Sequence, residues 1–592
     1  MIGGNIQIEE FAFDKAVLAT VKSEDKCSDW PVVYLIHGKQ GKSRCPIYIG
    51  ETSNFIGRFN QHLADPNKHN LYSIIKVVIN NRYNKSAILD VEQSLIRLFK
   101  CDPQFDVQNK NLGQSSHHDY YQRFTYVREL ETLWTRLNLS GKSFLEITSS
   151  DTYKFSPYTA LTVEQRDVCF EAIDRILDSL EGKEKGKSVQ VISGAAGTGK
   201  SVVAIKILSL LLEANTQPMN LSLDPDQTDS DDSFCLRVQW RLLEFVRKRR
   251  CPIKVAYVVA MTSLRETLQK VFKETLRSEL KANGISAGKL VIGPTDVARE
   301  KYDVLIVDEA HRLQQRRNIS WLGTFDATTR ALDLNSSTAT TLDWILKQSK
   351  CQILFYDAAQ SVRPADISAL EFQKKIAEKG RFEDLALTTQ MRCEGGASYV
   401  EYIDEILRGT AKRRDVKNYD FRLYEHFAPM LEAIQSESDD STGKGFSRVV
   451  AGYAWKWNSK NDKKAFDIQI EGKWYRWNSQ LSGWITSPNA VREIGCVHTT
   501  QGFDLAYVGV IIGPDIHYDS ATKKIIAVRD KSFDTNMKNG ISRTPEGDEE
   551  FLEYVINCYK VMLTRGIRGC FVYAFEDSMR EYLKQFIPLA AE

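Results

Sequence analysis

The sequence predicts an α/β chain of several domains, in which doubly wound parallel sheets surround a phosphate-binding loop and a smaller mixed α/β domain comes first. Three observations predict it. Gly194-Ala195-Ala196-Gly197-Thr198-Gly199-Lys200-Ser201 is a complete G-x-x-x-x-G-K-[ST], preceded by the apolar Val189-Gln190-Val191-Ile192 and followed by the helix-like Val202 to Leu208. Two further apolar runs, Val304 to Val307 and Ile353 to Tyr356, end in Asp308-Glu309 and Asp357-Ala358-Ala359-Gln360, as strands of doubly wound sheets do at their carboxyl ends. Near the start, Val32-Val33-Tyr34-Leu35-Ile36 and Ile47-Tyr48-Ile49-Gly50 flank a turn at Gly38 to Lys42 and read as a hairpin with a tyrosine on each strand.

Strand, glycine loop and helix stand in the order a phosphate cradle requires. Gly194, Gly197, Thr198 and Gly199 let backbone N–H groups turn onto the β- and γ-phosphates of ATP, and the helix N-terminus adds partial positive charge. Lys200 neutralises the phosphates and Ser201 ligates Mg²⁺.

Composition narrows the class without choosing a partner. A chain of 592 residues exceeds one core, and about three to five domains are expected. The 79 Lys and Arg nearly cancel the 77 Asp and Glu, so nucleic-acid contact must come from local basic surface. Eleven scattered cysteines, without C-x-x-C or zinc spacing, fit a reduced cytoplasmic chain. No apolar run is long enough to span a bilayer, and Glu9, Glu10 and Asp14 do not fit a signal peptide.

Residues 1–30 read as an arm without a motif. After the hairpin, Arg58 and His62 lie four apart on one helix face, Glu92 falls in a second helix from Leu89 to Phe99, and Asn109 and Asn111 follow in a polar loop. Over residues 31–125 this ordered set resembles the GIY-YIG endonuclease domain. Tyr48-Ile49-Gly50 is intact, while Val32-Val33-Tyr34 stands where Gly-Ile-Tyr is usual. The resemblance implies that Glu92 holds one Mg²⁺, Arg58 stabilises the phosphorane, Tyr34 and Tyr48 position or activate water, His62 assists, and Asn109 or Asn111 braces the site.

Phe124 to Leu139 has a helical apolar pattern and is read, within 126–158, as a connector. Leu161-Thr162-Val163-Glu164-Gln165 opens an amphipathic helix, in which Gln165 either reads the adenine edge or simply follows a helix cap at Thr162. Residues 215–233 are polar and acidic and read as a surface insertion, and Arg247 to Arg250 as a solvated basic helix end.

The motor motifs follow in order. Met261-Thr262-Ser263-Leu264-Arg265 ends a strand where superfamily-1 helicases grip single-stranded backbone. Asp308 is expected to hold Mg²⁺ through water and Glu309 to orient or deprotonate the attacking water, and Gln360 is the candidate γ-phosphate sensor. A second sheet is expected from about residue 381. Its candidates are Arg392 in Thr388-Thr389-Gln390-Met391-Arg392, Gly502 in His498-Thr499-Thr500-Gln501-Gly502, and Arg565 as an arginine finger. Residues 161–580 resemble the Schlafen-type helicase/ATPase family of bacteria, in which a GIY-YIG domain sometimes precedes the motor, on Gln501 to Asp515, Val561 to Gly569 and Ala454-Trp455-Lys456-Trp457.

The resemblance implies two RecA-like lobes, 159–380 and 381–592, the second with an insertion at about 395–485. In that insertion Trp455, Trp457, Trp474, Tyr475, Trp477 and Trp484 alternate with Lys456, Lys460, Lys473 and Arg476. They either stack single-stranded bases or form a small β-rich core, and the strand-like spacing favours the core. The expected activity is an ATP-dependent helicase or translocase coupled to a metal-dependent endonuclease, with two Mg²⁺ sites. The expected partner is nucleic acid, DNA ahead of RNA, in a role such as defence against foreign DNA. No membrane is implied, and a homo-oligomer is compatible. Rival readings are an ATP-gated nuclease without unwinding, an RNA-directed enzyme, and a binding scaffold with an inactive nuclease.

Overall fold

A computed structural model of the chain describes residues 6–17, 30–39, 44–109, 123–148, 150–159, 161–183, 188–216, 233–378, 382–390, 393–438, 446–462, 464–480, 484–500 and 505–591. Arg392, Gly502, Asn111 and most of the expected surface insertion at 215–233 lie outside these residues. The chain divides into two compact units, residues 1–163 with 274–276, and the remainder.

The first unit is built on a five-stranded sheet of β1 (Gln7–Ala12), β2 (Val32–His37), β3 (Cys45–Thr52), β4 (Ile74–Ile79) and β5 (Phe105–Val107), in the order β1-β4-β2-β3-β5. Strands β2 and β3 form the expected antiparallel hairpin, with Tyr34 opposite Gly50 and Ile36 opposite Tyr48. Alternation along β2 divides its side chains between two cores. Val32, Tyr34 and Ile36 meet Phe55, Phe59 and Leu63 of α1 (Phe55–Leu63). Val33 and Leu35 meet Ile88, Val91, Leu95 and Phe99 of α2 (Lys85–Cys101). Asn54 and Asn84 cap these helices by accepting from Gly57 N and Ala87 N.

Two parts of this unit depart from the sequence reading. Within the expected arm, β1 pairs antiparallel with β4 as an edge strand. The expected connector is α3 (Arg123–Leu137), whose Leu130, Leu133, Trp134 and Leu137 are buried in the same core as α2. Each such fully buried apolar side chain contributes on the order of 1.5–3 kcal/mol, which explains why α3 packs here instead of spanning a gap.

The second unit carries two parallel sheets. The first consists of β6 (Ser188–Gly194), β7 (Val255–Val259), β8 (Val291–Ile292), β9 (Tyr302–Asp308), β10 (Ser349–Tyr356) and β11 (Phe382–Leu387), in the order β11-β6-β10-β9-β7-β8. All seven residues of β9 are buried, as a central parallel strand covered on both faces demands. The helices α4 (Val163–Leu180) and α5 (Lys200–Ala214) flank the glycine loop.

The second sheet does not begin at residue 381, because β11 pairs parallel with β6 as an edge of the first. It is formed by β12 (Asp420–Tyr424), β13 (Arg448–Ala451), β16 (Ile494–Cys496), β17 (Leu505–Ile512) and β20 (Gly566–Ala574), in the order β12-β20-β17-β13-β16. Two hairpins lie outside it, β14 (Ile468–Ile470) with β15 (Lys473–Tyr475) and β18 (Ile516–Asp519) with β19 (Lys524–Ala527). One face is covered by α6 (Gly396–Arg408) and α7 (Pro545–Leu563), through Tyr399, Tyr402, Ile406, Val555 and Tyr559. The other is covered by Phe427, Met430 and Ile434.

The expected insertion at about 395–485 is therefore too long. Its first half supplies α6, β12 and β13 to the sheet, and only the stretch from Gly452 to Glu493, between β13 and β16, is inserted. Trp477 and Trp484 are fully buried there, as the core reading requires, whereas Trp474 is 52% exposed.

Candidate functional site: a nucleotide loop and a tyrosine cluster

The glycine loop leaves β6 and closes on its own backbone. Gly197 and Gly199 have φ of 92° and 83°, a left-handed conformation that costs other residues roughly 1–2 kcal/mol. Two amides and an ammonium hold the loop. Gln165 Nε2 donates to Thr198 O at 3.0 Å and Gln390 Nε2 to Ala196 O at 2.6 Å. Lys200 Nζ donates to Gly194 O at 2.6 Å and Ala195 O at 3.0 Å, and lies 3.4 Å from Asp357 Oδ2. Gln360 Nε2 donates to that same Oδ2 at 2.6 Å. Asp357 thus joins the loop lysine to the expected sensor, a link that spacing in the sequence does not reveal.

The two carboxylates at the end of β9 differ in environment. Asp308 accepts from Tyr257 Oη at 2.7 Å, from Glu309 N at 2.9 Å and from the Ser201 hydroxyl. Burial, and then the Glu309 charge, raise its pKa above the usual carboxylate value. Burial acts on Glu309 in the same direction, but His311, Lys200 and Arg312 outweigh it and hold that carboxyl well below the usual range. His311 Nε2 lies 2.8 Å from Glu309 Oε2. Glu309 also has a φ of 54°, strained for a residue with a Cβ.

Beyond β11 the chain stays fastened to the first sheet. Glu164 on α4 accepts from Thr388 N at 2.7 Å and Thr389 N at 3.0 Å. The two sheets meet through Asn557 of α7, which donates to Ser361 O at 2.9 Å immediately after Gln360, and through Arg317, which pairs with Glu550 at 2.7 Å. Arg565 is buried at the junction of α7 and β20, on the second sheet, whereas Lys200 stands on the first. Arg265 donates to Val259 O and Thr262 Oγ1 at the end of β7.

In the first unit the expected residues converge. Gly50 has no Cβ because Tyr34 Oη and Cζ would lie 2.4 Å from one. Arg58 Nε donates to Tyr34 Oη at 3.2 Å, and His62 Nε2 is 2.8 Å from the same oxygen. Lys68 Nζ lies 2.5 Å from His62 Nδ1. An ammonium only donates, so this contact assigns the lone pair to Nδ1 and the proton to Nε2, and His62 donates to Tyr34. Tyr34 Oη then receives two donors and keeps its own hydrogen for a third partner. Burial, followed by Lys68 and Arg58, lowers the His62 pKa to about 3, which keeps the ring neutral. Tyr48 meets His62 edge to face, with ring centroids 5.2 Å apart and Lys68 Nζ 4.7 Å from the Tyr48 centroid.

Glu92 is buried on α2, where desolvation and then the Glu51 charge raise its pKa to about 7, against the pull of Lys85 and Arg58. Asn109 is held against β3, donating to Ile49 O at 2.6 Å and accepting from Ile49 N at 3.0 Å. Lys68 and Glu51 were not legible as site residues, since neither belongs to a spaced motif. Among the described residues no group of three or more His, Cys, Asp or Glu gathers as a metal cage. Magnesium asks for less, keeping several waters and one or two carboxylates, so Glu92 in one unit and Ser201 with Asp308 in the other fit it chemically.

Residues 187–576 match the family described as Schlafen group 3, DNA/RNA helicase domain. The chain belongs to this family. The match takes in the glycine loop, Asp308, Glu309, Asp357, Gln360 and Arg565, so the second unit of this Schlafen group 3 chain holds its helicase domain. The uncharacterized Saccharomyces cerevisiae protein YPL245W is 28% identical over 307 residues, which cover 48% of this chain and 64% of that protein. The Schlafen group 3 chain therefore spans less than two thirds of that relative's length. Among solved structures, the Candida albicans Pif1 helicase aligns at 10% identity over 72% of this chain and 99% of its own, with a TM-score of 0.26. A Pif1 structure described for unwinding of forked duplex DNA by two coordinating helicases aligns at 9% identity over 73% and 95%, with a TM-score of 0.25. No described helix is long and apolar enough to cross a membrane.

Proposed function

We propose that the second unit is an ATP-driven motor that translocates on and unwinds nucleic acid, DNA before RNA, and that the first unit is a Mg²⁺-dependent endonuclease of the GIY-YIG type. The observation that carries the motor reading is the shared carboxylate of Asp357. Phosphates bound in the loop draw Lys200 away from the carbonyls of Gly194 and Ala195, and from Asp357. Asp357 is then left to Gln360, whose neighbour Ser361 is held by Asn557 of the second sheet. Loop occupancy is thereby passed to the other sheet, which is what coupling hydrolysis to movement requires. Glu309, held ionised beside His311, orients and deprotonates the attacking water. Ser201, and Asp308 through water, would hold the Mg²⁺ that neutralises phosphate charge. Arg565 is the candidate for completing the site from the second sheet, and Arg392 remains the other arginine candidate.

The nuclease reading is supported by the convergence of Tyr34, Arg58 and His62 on one oxygen. Tyr34, its oxygen occupied by two donors, presents its hydrogen and orients a water, Arg58 faces the charge that builds on the phosphoryl oxygens, and Lys68 holds His62 in place. Glu92 would hold the Mg²⁺ that acts as Lewis acid at that phosphate. A cutter joined to a motor suits restriction of foreign DNA in the cytoplasm, where the free thiols of the described cysteines are stable.

One experiment separates the activities. Labelled forked DNA and RNA duplexes are incubated with the full chain, with and without ATP and Mg²⁺. Strand displacement is expected only with ATP and is lost in Lys200→Ala; nicking is expected only with the metal and is lost in Glu92→Ala while displacement survives. Undiminished nicking by Glu92→Ala refutes the nuclease assignment, and cleavage without any displacement refutes the unwinding motor.

A further inference from the structure

We propose that the outer face of the β14–β15 hairpin is a stacking platform for single-stranded nucleic acid, an inference that rests on the helicase reading of the second unit. The hairpin has two unlike faces. Ile468 and Ile470 point into the core that contains Phe427, while Gln469 and Trp474 oppose each other on the side that faces water. Trp474 is 52% exposed and Phe466, just before β14, is 46% exposed. Indoles kept for the fold are treated differently in this same segment: Trp477 and Trp484 are fully buried, and Trp484 donates to Glu493 at 2.9 Å.

Charge is sorted as well. Arg476 lies two residues beyond Trp474, hence on the same strand face, with its guanidinium 5.3 Å from the Phe466 ring centroid. Lys473 adjoins Trp474 and is exposed, and Lys460 lies 5.7 Å from the Trp457 ring. The acids of the segment are engaged with backbone N–H groups. Asp467 accepts from Ser459 N and Trp477 N at 2.7 and 2.8 Å, Glu471 from Phe427 N at 3.3 Å, and Asp462 from Lys464 N at 3.0 Å. Arg476 is thus left to the surface beside the open faces of Trp474 and Phe466, with Lys473 and Lys460 adding positive charge nearby. A base with its phosphate complements this pairing, since any base stacks and any phosphate meets a cation, so the platform is indifferent to sequence.

The test is fluorescence anisotropy of labelled oligo-dT and oligo-rU twenty-mers with the full chain across a salt series. Trp474→Ala is expected to weaken binding of one or both strands about 5- to 150-fold, the range for one lost stacked base, with an unchanged melting temperature. Trp474→Phe is expected to restore most of the affinity, and Arg476→Gln to lower the slope of log affinity against log salt by about 0.7. Wild-type affinity in Trp474→Ala overturns the platform and leaves the helicase reading standing. Failure of the unsubstituted chain to bind either strand overturns both.

Discussion

Replacing Asp357 by Asn tests the link between the loop lysine and the sensor. Lys200 and Asp357 expose only 6% and 7% of their side chains, and their charged atoms are 3.4 Å apart. At an effective dielectric constant of about 20 their attraction is about 5 kcal/mol, most of it offset by the cost of desolvating both groups. Lys200 keeps its two carbonyl partners in the variant, so the nucleotide-free form should lose about 1.5–3 kcal/mol, the contribution of one hydrogen bond to a charged group. ATP no longer has to take Lys200 from a carboxylate. Its affinity should therefore rise about 10- to 150-fold, while turnover falls because Gln360 loses its charged anchor at 2.6 Å. Titration with a fluorescent non-hydrolysable ATP analogue, beside steady-state ATP turnover, measures both effects. Affinity that is unchanged or weaker would show that Asp357 does not compete with the phosphates for Lys200, and the proposed signal to Gln360 would fall.

Glu309→Gln should bind ATP with near wild-type affinity and hydrolyse it far more slowly, because the water loses its base while Lys200 and the loop remain; wild-type turnover in a single-turnover assay removes that role. Arg565→Ala should keep ATP affinity and lose nucleic-acid-stimulated turnover by as much as 10³-fold or more, and full stimulation would exclude it as a cross-lobe arginine. The first unit should weaken in acid. His62 takes up a proton at about pH 6.5 when unfolded and only near pH 3 when folded, so the unfolded state binds more protons in between, and the stabilisation present above pH 6.5 is lost as pH falls towards 3. Hydrogen exchange of the β2–β3 amides should follow this slope, and His62→Gln should flatten it; an equal slope in the variant would refute the buried neutral ring.

What was legible in the sequence is what short stretches of chain dictate by themselves. The glycine loop was readable because Gly197 and Gly199 occupy backbone conformations that other residues resist, and because an apolar strand must precede such a turn and a helix follow it. The β2–β3 hairpin and helix α2 were readable from their periods of 2 and 3.6, although α2 runs from Lys85 to Cys101 and outlasts the expected segment at both ends. Partnership was not readable. β11 carries the same kind of strand pattern whichever sheet it joins, and only its parallel register with β6 places it in the first. The four-residue β13 and five-residue β12 are too short to announce themselves before their neighbours β17 and β20 cover them. The tryptophans of the inserted stretch are alike in sequence context, yet Trp477 and Trp484 turn inward and Trp474 outward, because the side that meets the Phe427 core is set by residues far away in the chain. Lys68 reaches His62, and the Glu51 charge raises the Glu92 pKa, for the same reason: local backbone preference lies within a few residues, whereas burial, register and electrostatic neighbourhood come from segments that meet only when the sheets assemble.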